Sequence, residues 1–109
     1  MEVCRIIKAE KLEDINFENL GIHWTTKPEE SHRHIVQNGE ASFWVYAEID
    51  ESMIWDDYTS DDIAEHPGLE TNGESGEHEI TLRPGSEITI LEVYDENQEC
   101  VMREAKGEV

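Results

Sequence analysis

The chain has 109 residues, 27 acidic and only 8 basic, for a formal net charge of −19. So large an acidic excess argues against direct binding of nucleic acid or an anionic membrane through a basic surface, and leaves basic proteins as the natural electrostatic partners. With a hydrophobic content of 37%, the expectation is one domain, residues 1–109, with a modest core and acidic loops.

The charge is uneven, because no Lys or Arg stands between Arg33 and Arg83 while acids recur from Glu40 to Glu79. Solubility or adaptation to high salt would explain this field; so would mimicry of a nucleic-acid backbone. Cys4 and Cys100 lie at opposite ends without framework spacing, which points to a reduced, cytoplasmic setting, with a single disulfide between the terminal strands as the alternative. No apolar stretch approaches the length of a bilayer span.

Taken in order, Val3-Cys4-Arg5-Ile6-Ile7 is a short β-branched run that predicts a first strand. Arg5 is its odd member: either an edge residue with its head in water, or a guanidinium aimed into a cleft that holds an anion. Residues 8–19 are polar, with thin periodicity through Leu12, Ile15 and Phe17. A brief strand follows in Leu20-Gly21-Ile22-His23-Trp24-Thr25, sending Ile22 and Trp24 to the core and His23 and Thr25 to the other face. Thr26-Lys27-Pro28-Glu29 has the form of a capping box and predicts a helix over 27–37, closed by Asn38-Gly39.

Residues 41–49 read as a central strand, with Phe43, Val45, Ala47 and Ile49 on one face and Trp44 and Tyr46 on the other. Residues 50–55 form a turn or short helix packing Met53, Ile54 and Trp55. A long acidic loop at 56–76 comes next, with turns at Pro67-Gly68 and Asn72-Gly73. Loops of this length in compact domains are most often functional or disordered.

Behind that loop, Glu79-Ile80-Thr81-Leu82 and Glu87-Ile88-Thr89-Ile90 alternate apolar with polar residues around Pro84-Gly85, which predicts a β-hairpin. Glu77 and Glu79 then share one strand face about 7 Å apart. A turn at 94–98, a last strand at Cys100-Val101-Met102 and a frayed tail over 104–109 complete the chain. The fold class expected is α+β, a compact mixed or antiparallel sheet with one or two short helices.

At three of these segments the chain resembles the mono-ADP-ribosyltransferases of the arginine-serine-glutamate group, especially short phage and bacterial members. The matching stretches are Gly21-Ile22-His23-Trp24-Thr25-Thr26 with the helix after it, Val45-Tyr46-Ala47-Glu48-Ile49-Asp50, and Glu77-His78-Glu79-Ile80-Thr81-Leu82-Arg83-Pro84-Gly85-Ser86. The usual serine-threonine-serine signature is replaced here by His23-Trp24-Thr25, and the chain is shorter than typical catalytic members.

The resemblance implies an ADP-ribosyltransferase-like core that uses NAD as substrate and a protein as acceptor. Arg5 would hold an NAD phosphate, as suits a forked, permanently charged donor. Thr25, with His23, would shape the nicotinamide site. Glu79 would be the catalytic glutamate, stabilising positive charge on the ribose as the glycosidic bond breaks, and Glu77 would orient or deprotonate the acceptor. The rival expectation is a non-catalytic acidic inhibitor, phage-encoded and acting in a host cytoplasm, that occupies the basic groove of a nucleic-acid enzyme. The histidines carry no metal-site spacing: His32 and His34, two apart, do not share a helix face.

Overall fold

A computed structural model describes residues 1–26, 41–66 and 79–109. The helix expected over 27–37, the acidic loop beyond residue 66, and Glu77 lie outside the described residues. Six strands form a single antiparallel sheet: β1 Glu2–Lys8, β2 His23–Thr25, β3 Ser42–Glu48, β4 Glu79–Thr81, β5 Glu87–Tyr94 and β6 Cys100–Glu108. Their spatial order is β4-β2-β1-β3-β5-β6. Short 3₁₀ helices, Leu12–Asp14 and Glu51–Met53, and one α-helix, α1 Ser60–Glu65, complete the described elements. None of the described helices is long and apolar enough to cross a membrane.

β3 owes its place between β1 and β5 to alternation. Phe43, Val45, Ala47 and Ile49 are buried on the inner face, and Trp44 and Tyr46 stand half-buried on the outer one. Across the ladder, Val3 opposes Ala47 and Val45 opposes Val93, so each strand adds to the same face. β5 needs one irregularity to do this. Ile88 and Ile90 keep a period of two, but Val93 has the wrong parity, and a bulge opposite Tyr46 and Ala47 turns it inward.

Trp24 from β2, Leu82 beyond β4, and Ile15 and Leu20 from the β1–β2 connection finish the core. Gly107 of β6 lies beneath that connection. A Cβ there would stand 2.8 Å from Leu20 Cδ1 and 3.0 Å from Ile90 Cδ1, so the absence of a side chain lets Leu20 reach the sheet.

Two expectations are corrected. β4 and β5 are not a hairpin: β4 pairs with β2 at one edge of the sheet, and β5 lies between β3 and β6. The turn itself forms, with Ser86 N donating to Arg83 O at 3.1 Å and Gly85 at φ +81°. Proline followed by a glycine at that angle is a type II turn, whose twist splays flanking strands, whereas tight hairpins use the mirror-image types. Leu82 therefore bridges Ile54 instead of a β5 residue.

The tail over 104–109 is not frayed either. It is the second half of β6, paired with β5 as far as Glu108 opposite Glu87, and Val109 is buried. The hairpin that does exist joins β5 to β6 through a turn in which Asp95 N donates to Glu99 O and Gln98 takes φ +64°.

The acidic segment after β3 is partly ordered by its own chemistry. Thr59 caps α1 by accepting from Asp62 N, and the Asp62 carboxylate accepts in return from Thr59 N at 2.8 Å. Trp55 anchors the start of the segment, buried and in edge contact with Tyr58 and His66.

Candidate functional site

The site expected from sequence is distributed over three strands that the fold makes neighbours. β2 lies between β1 and β4, so Arg5, the His23/Thr25 pair and Glu79 stand on consecutive hydrogen-bonded strands. The β2–β4 register sets Thr25 opposite Glu79 and His23 opposite Thr81, and the β1–β2 register sets Cys4 opposite Thr25. Thr25 and Glu79 thus share a face, and so do His23 and Thr81. The Thr81 hydroxyl, itself buried, lies 3.4 Å from His23 Nδ1.

Arg5 departs from this group. One residue beyond Cys4 on β1 and opposite Val45 on β3, its register position belongs to the inner face with Val3 and Ile7. Its guanidinium runs across the end of β2, where Nη1 donates to the His23 carbonyl at 2.6 Å.

Gly21 makes that path possible. Its φ of +98° suits glycine, and a Cβ there would sit 3.0 Å from Arg5 Cζ and Nη2. The Gly21 carbonyl in turn accepts from Trp24 Nε1 at 2.9 Å. One glycine therefore seats both the cation and the largest core ring of the short strands.

Where β2 gives way to Gly21, the edge of β1 looks onto a cleft of about 450 Å³. Arg5, Lys8, Asp14, Asn16 and Asn19 supply its polar lining, with Ile7, Ile15 and Leu20 beneath. Two of the chain's 8 basic residues thus meet in one concavity, beside amide side chains able to donate hydrogen bonds. Among the described residues, neither Thr25 nor His23 lines it. Among the described residues no cluster of His, Cys, Asp and Glu has the geometry of a metal site.

Sequence reasoning missed two things here. The importance of Gly21 has a signal, a glycine directly before an alternating strand, but its contact with Arg5 depends on the pairing of β1 with β2. Lys8, Asn16 and Asn19 carry no pattern of their own, and only the returning connection gathers them.

No protein-family model matches the chain, and neither the curated proteins nor the solved structures include a match to it.

Proposed function

We propose that this protein binds NAD and transfers its ADP-ribose group to a protein acceptor. One observation carries the reading: the strands bearing Arg5, His23 with Thr25, and Glu79 are consecutive neighbours, with Thr25 directly across from Glu79. Arg5 and Lys8 in the cleft at the end of β2 suit a diphosphate. Glu79 stabilises the positive charge that grows on the ribose as the glycosidic bond to nicotinamide breaks, and Glu77 takes the acceptor's proton.

Calorimetric titration with NAD and an assay of nicotinamide release test this directly. Glu79→Gln should lower turnover by roughly 10²–10³-fold, the usual scale for losing one electrostatic stabiliser, with unfolding behaviour unchanged. No NAD binding at millimolar concentration sinks the proposal.

A second reading is favoured by the acids around α1. Asp56, Asp57, Asp61 and Glu65 are exposed, and among the described residues Arg83 pairs with Asp57, at 2.9 Å. Such a surface suits a non-catalytic protein that occupies a basic groove on a partner. Its affinity would fall steeply with salt and with neutralisation of these acids, while NAD would have no effect.

A further inference from the structure

On the outer face of the sheet, away from Arg5 and its cleft, three aromatic rings and two carboxylates line one groove. Trp44 and Tyr46 come from β3, Glu92 and Tyr94 from β5, Glu2 from β1, and Gln98 from the β5–β6 turn. The registers Trp44 opposite Tyr94 and Tyr46 opposite Glu92 bring them together, and the β5 bulge keeps Glu92 and Tyr94 outward while Val93 turns in. Tyr46 and Tyr94 meet edge to face, with centroids 5.7 Å apart and planes at 89°. The two perpendicular rings border a space of about 290 Å³.

The charges of the groove are fixed. The Tyr94 hydroxyl donates to the Glu92 carboxylate, which orients the acid and the ring together. Arg103 stands opposite Glu92 in the β5–β6 register and feels the charge of that carboxylate, while its Nε donates to Cys100 Sγ at 3.2 Å. Among the described residues neither Glu2 nor Glu92 forms a salt bridge. Ring faces are electronegative, and an organic cation seated over them gains further from a nearby carboxylate.

We propose that this groove is a docking site for a cationic side chain, arginine or lysine, of a basic protein segment. The rings supply cation–π faces, and Glu92 and Glu2 supply the counter-charge. The net charge of −19 draws the basic segment to the surface and disfavours a nucleic acid there. The groove shares the outer face with Thr25, two strands away across Cys4, and the proposal stands whether or not NAD binds.

The test titrates the full chain with a short Gly/Ser peptide carrying one arginine, and with the same peptide carrying citrulline, which keeps the shape without the charge. Trp24 and Trp55 are buried and Trp44 is half-buried, so tryptophan fluorescence reports on the groove; Trp44→Phe should abolish the signal. Saturable binding of the arginine peptide is expected, weakened about tenfold or more by citrulline and by roughly 5- to 10-fold in Glu92→Gln. Glu96→Gln, the same charge change at the turn outside the groove, should stay within about twofold of the native affinity. Tyr94→Phe keeps the ring and removes only the bond to Glu92. A weakening with this variant that is smaller than that with Glu92→Gln separates loss of the charge from damage to the fold.

Three outcomes overturn the proposal: no saturable binding at millimolar peptide, equal weakening by Glu92→Gln and Glu96→Gln, or tetramethylammonium binding as tightly as the peptide. The last would make the groove a small-cation site instead of a protein dock.

Discussion

The two sides of this sheet are built differently. β5 and β6 run side by side from Glu87 opposite Glu108 to Tyr94 opposite Cys100, and β3 ladders along β1 for the whole of both strands. β2 and β4 are three residues each, and β2 meets β1 with Cys4 opposite Thr25. The long ladders hold themselves through many cross-strand pairs. The short strands are held by side chains: Trp24, Leu82, and the carbonyls of Gly21 and His23 that Trp24 and Arg5 engage. Among the described residues, those proposed for chemistry start from the short side or its border, where backbone pairing is thin and single side chains carry the geometry.

The strongest way to break this contrast is Trp24→Ala. The ring is 1% exposed, and its loss should cost about 3–5 kcal/mol in chemical denaturation. A cost under about 1 kcal/mol would mean that the short strands are an appendage to an independent core. Next comes Gly21→Ala, expected to cost about 1–3 kcal/mol from the left-handed backbone together with displacement of Arg5. Gly85→Ala is its internal control: φ is +81° there, but nothing lies within 4 Å of an added Cβ. It should cost only about 1 kcal/mol, and equal losses at the two glycines would deny Gly21 its role in seating Arg5.

The smallest effect concerns the long side. The hydrogen bond to Glu92, aided by desolvation and by the carboxylate's charge, raises the Tyr94 pKa above its ordinary 10.0. A folded value above the unfolded one means that this contact contributes its full stability below pH 10.0 and loses it as pH rises through the folded value. Tyr94→Phe should remove that part of the alkaline decline. Unfolding curves for both proteins across that range check it, and parallel curves would show the bond to be idle.

Much of this architecture was legible in the residues. β1 and β3 declare themselves by alternation, and so do the inward Trp24 and the outward His23 and Thr25. The misread hairpin has a clear cause: alternation fixes which face a side chain takes but not which strand lies beside it, and only the handedness of the Pro84-Gly85 turn told against pairing β4 with β5. The misread tail has another. The inward positions of β6 hold Met102, Ala105 and Gly107, and Gly107 looks too small for a core because Leu20 fills the space it leaves. The aromatic groove was invisible for the same reason as the hairpin error, since Tyr46 and Tyr94 become neighbours only once β3 and β5 are known to pair.

One further consequence concerns the sheet's margins. An unpaired strand edge is a template on which another chain can add a strand. At the β4 margin, Trp55 N donates to Thr81 O and Arg83 N to Met53 O, so the stretch after β3 already occupies that position. At the far margin, Leu20 N and Glu108 N exchange bonds with Glu108 O and Phe17 O. The rest of β6 is interrupted by Glu104 at φ +48° and studded with Arg103, Glu104 and Lys106. The same loops that close the core thus also protect the molecule against edge-to-edge aggregation.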